Sequence, residues 1–409
     1  APSTAATPWM LVSSALVMLM TPAVGFFYGG MVSSKNVLSV IKQSMIILAL
    51  ISVQWVLFGY SLAFGPDVYG IIGNLDFFGL RGVGYAPDTN YAATIPALVF
   101  MIFQAMFAII TPALIIGAFV ERIKFKALVL FTILWATLVY DPVAHWVWSP
   151  SGWLHSLGAL DFAGGTVVHM TAGFSALAAA LLVGKRLQKG STPANSANNI
   201  PFVILGAALL WFGWFGFNAG SALASGALAA SAFVVTNVAA AAAALVWIAL
   251  SWAENGKPSA MAAAIGSVCG LVVITPASGY VGPMSAVAIG IIGGAVTYLA
   301  VYWRNRRIRI DDSLDVWAGR GVGGLTGAIL TGFFAEKAIN AAGANGLLFG
   351  NPHQLFVQII AVAAVAVYAF AATWLILKVV SFFSPLRVSS DDEEQGLDLA
   401  VHGEVGYRY

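Results

Sequence analysis

Two ionisable side chains stand in apolar, glycine-rich stretches at the same distance from an aspartate. His169 lies eight residues after Asp161 in DFAGGTVVHMTAGFS, and Arg320 lies eight residues after Asp312 in DSLDVWAGRGVGGLT. At 1.5 Å per helical residue that offset is about 12 Å, close to the midplane of a hydrocarbon core about 30 Å thick. An ionisable group at that depth is costly unless it faces a partner or a cavity, so each is a candidate functional residue. His169 could line a pore as a neutral imidazole; the alternative is a packed ring bonded to neighbouring backbone or hydroxyl groups. Arg320 brings a fixed charge, because a guanidinium is not deprotonated in proteins. Its alternatives are to snorkel towards an interface or to pair with Asp312 or Asp315, which lie within about two turns.

Aromatic residues form a second constellation. Phe103 and Phe107 are four apart and share a helix face, as do Phe217 and Ser221 in WFGWFGFNAGS, and Trp148 ends a neighbouring apolar run. Rings gathered at a membrane mouth can hold a small cation over their faces, worth about 0.5 to 2 kcal/mol each. They can equally be packing or an interfacial belt. Asp161, four residues before Gly165, reads as a helix cap and as a charge that sets the field at that mouth. Enzyme chemistry finds no support: there is no nucleophile with a base, no phosphate loop, no cofactor signature and no metal motif, since HGE near the C-terminus lacks a second histidine. The single cysteine, Cys269, lies in an apolar run and reads as core packing.

The elements that must position these residues follow from composition. Of 409 residues 60% are hydrophobic and 9% charged, with a mean hydropathy of +0.87, against roughly 25% charged in soluble domains. This is an all-α polytopic membrane protein, and a net charge of +2 excludes the basic surface that nucleic acid requires. Apolar runs long enough to span a bilayer are centred near residues 20, 50, 106, 138, 175, 211, 240, 267, 291, 325 and 369, which makes eleven. Basic residues cluster after alternate spans: Lys35; Arg122, Lys124 and Lys126; Lys185, Arg186 and Lys189; Lys257; Arg304, Arg306, Arg307 and Arg309. The other loops carry only Arg81 and Lys337, so the N-terminus is expected outside and the C-terminus in the cytoplasm. A chain that begins at Ala1 without methionine fits a cleaved secretory signal and the same orientation. Segment 65–91 reads as an external loop.

The two aspartate-led stretches align further, Gly173 with Gly324 and Ser175 with Thr326. They fall five spans apart, and an odd number of spans per half inverts one half relative to the other, the architecture in which sites form between repeats near the midplane. The expected division is a membrane domain at 1–384, with halves at about 8–190 and 200–335 and the last helix at 354–384, followed by a tail at 385–409.

The chain also resembles the ammonium transporter family, which includes the Rhesus proteins. The similarity runs through FFYGGMVSSKNVLS, FQAMFAIITPALIIGAFVERIKF, DFAGGTVVHMTAG, WFGFNAGSA, VTPASGYVGP, DDSLDVWAGRGVGG and the tail GLDLAVHGEVGY. It implies eleven spans in inverted five-helix halves and a homotrimer with one pore per subunit in the lipid bilayer; the short external loops and a start that fits a cleaved signal suit a plasma (inner) membrane. By the same resemblance Trp148, Phe103, Phe107 and Ser221 match an external ammonium site, Phe107 and Phe217 the gate below it, and His169 the first of two pore histidines. Asp161 matches the aspartate beneath the recruitment site, with Asp312 and Asp315 the acidic residues flanking the second half's site. The pattern departs at the pore centre: Arg320 stands where the second histidine is expected, and Trp317 where a phenylalanine is. Arginine cannot pass a proton to and fro with His169, and at about 4 Å it repels another unit cation by about 4 kcal/mol at an effective dielectric of 20. The expectation is an ammonium-binding protein with impaired conduction and a sensor role, signalling through its tail, as family members fused to signalling domains do. The alternative is a conducting transporter with an altered proton relay, whose tail resembles the form that meets a trimeric nitrogen-regulatory signal protein.

Overall fold

The computed structural model describes residues 2–187, 197–308 and 310–407, so Lys189 and Arg309 of the basic loops lie outside the described residues. Among those described, nine helices are long and apolar enough to cross a membrane: Ala6–Met31, Ser34–Phe64, Ala97–Ala118, Phe125–Leu157, Gly165–Val183, Ile200–Ala222, Ala227–Asn255, Pro283–Arg307 and Pro352–Phe383. The shorter apolar helix Ala260–Ile274, and Trp317–Val322 continuing as Gly323–Phe334, complete the eleven spans. Each of the eleven sequence centres falls inside one of them.

The spans are not uniform α-helices. Wide-turned π segments interrupt them at Trp55–Gly59, Ala136–Tyr140, Gly165–Met170, Phe215–Ala219 and Trp317–Val322. Three of these carry His169, Phe217 and Arg320, in keeping with the tendency of π turns to sit where side chains must be re-aimed. The fifth and tenth spans are anchored alike. A carboxylate oxygen of Asp161 accepts the Thr166 N–H at 2.8 Å, and one of Asp312 accepts the Trp317 N–H at 2.7 Å, each five residues ahead. Both aspartates thus satisfy amides that a helix start leaves without partners. Glycines let these two spans touch: a methyl on Gly173 would come within 2.1 Å of the Gly321 nitrogen, and one on Gly324 within 3.0 Å of the His169 Cβ. Each half's glycine therefore receives the other half's polar turn, which is the contact pattern of an inverted repeat.

The segment read as a loop at 65–91 contains a small antiparallel pair, Asp67–Val68 with Ile72–Gly73. It is pinned by His145, whose Nε2 lies 2.8 Å from the Asp67 carboxylate. At the opposite, basic side the tail folds back as Ser390–Gln395 and Leu397–His402. The Asp398 carboxylate accepts the Leu38 and Ser39 N–H groups at 3.0 and 2.7 Å, at the head of the second span, and Val388 donates to the Arg122 carbonyl at 3.0 Å.

Candidate functional site

A column of rings runs inward from the side away from the basic loops. At its top Trp148 and Ser221 are partly exposed, while Phe103, Phe107 and Phe217 are buried. The Phe107 ring meets Trp148 edge-on at 5.8 Å, Phe103 at 4.9 Å and Phe217 at 4.3 Å. All four ring positions named from the sequence come together, although they are drawn from three spans. The Ser221 hydroxyl donates to the Phe217 carbonyl at 2.8 Å, which leaves its lone pairs available as acceptors. Trp148 is held by its indole N–H, which donates to the Asp161 carbonyl at 2.9 Å. The Asp161 carboxylate in turn accepts the backbone N–H groups of Gly164, Gly165, Thr166 and Val167 and the Thr166 hydroxyl. One residue thereby orients the mouth and starts the fifth span.

Beyond Phe107 and Phe217 lies His169, buried. Its ring stacks on Phe217 at 5.9 Å and on Trp214 at 5.3 Å, and among the described residues neither ring nitrogen has a hydrogen-bond partner. The packed alternative for His169, with both nitrogens bonded to neighbours, is not what the structure contains. Trp214 then links the two halves' polar residues: the Arg320 guanidinium carbon sits 5.6 Å from the same indole, and the indole N–H donates to the Thr275 hydroxyl at 2.9 Å. Sequence reasoning passed over Trp214, although its place three residues before Phe217 puts it on the same helix face. Tyr28 was also missed. Its hydroxyl interacts with Arg320 and donates to the Leu114 carbonyl at 3.0 Å, a meeting of three spans that no local pattern announces.

The carboxylates considered as partners for Arg320 are engaged elsewhere. Asp315 binds Arg304 at 2.5 Å, and one oxygen of Asp312 takes the Trp317 amide while the other is buried without a hydrogen-bond partner among the described residues. Among the described residues no carboxylate forms a salt bridge with Arg320, whose Nη2 has no hydrogen-bond partner although the residue is only 4% exposed. Arg320 instead heads a cavity of about 410 Å³ that opens among the basic-side residues Arg186, Asn255 and Asn305. Trp317 does not join it at the pore centre: its ring is partly exposed and lies 6.4 Å from Trp303. In the wide turn that carries both, three residues no longer share a face.

At the basic mouth Arg186 binds Glu121 at 2.7 Å and Asp311 at 2.9 Å, and Asp311 also accepts the Arg186 backbone N–H at 2.8 Å. Burial alone would raise the Asp311 carboxyl, but these hydrogen bonds and the charge of Arg186 hold it well below the usual carboxylate range.

Comparison with known proteins agrees with this geometry. The family model described as Ammonium Transporter Family matches residues 8–407. The chain is 50% identical over 402 residues to an ammonium transporter of Bacillus subtilis, covering 98% of each chain. It is 48% identical to ammonium transporter Amt1 of Archaeoglobus fulgidus, again covering 98% of both. The crystal structure of Saccharomyces cerevisiae Mep2 superposes with a TM-score of 0.89 at 37% identity, covering 95% of this chain and 88% of that one. A structure described as a sensor Amt protein superposes at 0.86 with 32% identity, covering 96% and 97%. The two curated relatives are named as ammonium transporters, not as enzymes, and the chain is a multi-pass membrane protein that belongs to the ammonium transporter family.

Proposed function

We propose that this protein binds ammonium on the outer side of a plasma (inner) membrane, between the rings of Trp148, Phe103 and Phe107 with the Ser221 hydroxyl accepting a hydrogen bond, and conducts it poorly. In this reading the N-terminus is external, the tail is cytoplasmic, three copies form a trimer, and Phe107 with Phe217 gates each pore. The observation that carries it is Arg320: a buried guanidinium without a carboxylate partner at the inner end of the ring column, where the resemblance expects a second histidine. A cation leaving His169 meets a fixed positive charge, and a proton leaving His169 meets a group that does not exchange one.

Occupancy of the outer site would then be read as a signal. The tail supports this role, because Asp398 and Val388 tie it to the loops at the inner ends of the spans. A fused signalling domain, or a trimeric nitrogen-regulatory signal protein, would find that surface. The similarity to a solved sensor Amt protein adds weight.

The second reading, a conducting transporter with an altered relay, is favoured by the 50% identity to a bacterial ammonium transporter. Proteoliposomes separate the two. Impaired conduction predicts ammonium binding without ammonium-induced current or uptake; sustained uptake by the unmodified protein rules it out.

A further inference from the structure

The cavity headed by Arg320 is lined by one buried guanidinium, that of Arg320, with which no carboxylate among the described residues forms a salt bridge. Three arginines line it, Arg186, Arg304 and Arg320, against two aspartates, Asp311 and Asp315. The aspartates are taken by the first two arginines, at 2.9 Å for Asp311 with Arg186 and 2.5 Å for Asp315 with Arg304. Arg320 is left over. Its Nη2 donor is unsatisfied, its neighbour Tyr28 accepts from it as a neutral hydroxyl and supplies no counter-charge, and Asp312, one of whose oxygens takes the Trp317 amide, forms no salt bridge with it among the described residues. A buried guanidinium without a counter-charge is costly, and buried charges are normally paired. With about 410 Å³ of open space in front of Arg320, the missing partner can come from solution.

We infer that the basic-side cavity binds a small monovalent inorganic anion, of halide type, on the guanidinium of Arg320. The guanidinium fork supplies charge-assisted donors, and the indole of Trp214, 5.6 Å from the guanidinium carbon, backs the site. The lining also sets the class of anion. The one lining guanidinium without a carboxylate salt bridge among the described residues supplies a single positive charge, which balances a monovalent ion and leaves a phosphate dianion or a polycarboxylate uncompensated. The site lies at the far end of the ring column from the proposed ammonium site, and it needs no ammonium to fill.

The test uses the whole protein without ammonium. Crystals grown in sodium gluconate and soaked in sodium bromide should show an anomalous peak beside Arg320 Nη2; a clean map there at saturating bromide overturns the proposal. In solution, Tm should rise saturably as chloride or bromide replaces gluconate at constant ionic strength, and not when phosphate does. Arg320→Gln should abolish the halide-dependent rise, and an unchanged rise in that variant overturns the assignment to Arg320. Should Arg320→Gln fail to fold, the bromide map of the unmodified protein decides alone. Because ammonium is absent throughout, a negative result leaves the ammonium reading standing, and loss of ammonium binding leaves this one standing.

Discussion

Gly173 lies so close to Gly321 that a methyl group on it would come within 2.1 Å of the Gly321 nitrogen. Four residues after His169, this glycine receives the turn that carries Arg320, and Gly324, four residues after Arg320, receives the turn that carries His169. Two polar residues reach one midplane because two glycines remove the side chains that would hold their helices apart.

Enlarging either glycine should therefore separate the halves. Gly173→Ala and Gly324→Ala are each expected to cost about 1 to 3 kcal/mol as overpacking, visible as a lower Tm of the purified protein. Gly319→Ala is the control, since its methyl would meet Cys269 Sγ at a comfortable 3.9 Å. Equal tolerance of all three would contradict the close contact.

Arg320→His should restore ammonium-dependent current in proteoliposomes, because a titratable ring replaces a permanent charge next to His169. Arg320→Lys retains the charge and is expected to stay silent. If the histidine variant conducts no better than the unmodified protein, the block lies elsewhere, with Trp317 the first place to look.

Trp148→Leu removes one ring face from the outer site while leaving Phe103 and Phe107 in place. The expected loss is about 0.5 to 2 kcal/mol, a roughly 2- to 30-fold weaker ammonium Kd by calorimetry. Unchanged affinity would show that the cation does not sit against this indole.

At the basic mouth, Asp311 links stability to pH. Its carboxyl is held below its ordinary value in the folded state, so the folded protein takes up that proton less readily than the unfolded chain. The stabilisation is complete above about pH 4, the ordinary carboxylate value, and is lost as pH falls through the lower folded value. Asp311→Asn should cost about 1 to 3 kcal/mol at pH 7, Arg186 keeping Glu121 as its partner, and its Tm should fall less steeply than that of the unmodified protein below pH 4. Parallel curves would remove Asp311 as the linked group.

Much of the fold was legible because the bilayer imposes a length and a polarity that a linear reading detects. Eleven runs, the alternation of basic loops and the offset of eight residues from Asp161 to His169 and from Asp312 to Arg320 are all local patterns. The ring cluster was legible in part: the four-residue spacing of Phe103 and Phe107 puts them on one face, and the structure sets the rings 4.9 Å apart. Trp317 was placed at the pore centre by the family resemblance, and the structure turns its ring away from Arg320 towards Trp303, because a π turn changes which neighbours share a face and the sequence carries no mark of it.

By itself, then, the sequence determined the spans and the presence of an arginine within the tenth, since each depends on residue type and spacing along one helix, while the inverted pair of halves needed the family resemblance beside the spacing. Only the tertiary structure decided what that charge meets. Arg304 comes from the ninth span to take Asp315, Tyr28 comes from the first span to face Arg320, and Trp214 comes from the sixth to lie against both Arg320 and His169. Partnership between ionisable groups is set by distance through space, which falls steeply over a few ångströms, and distances between helices are not written along any one of them.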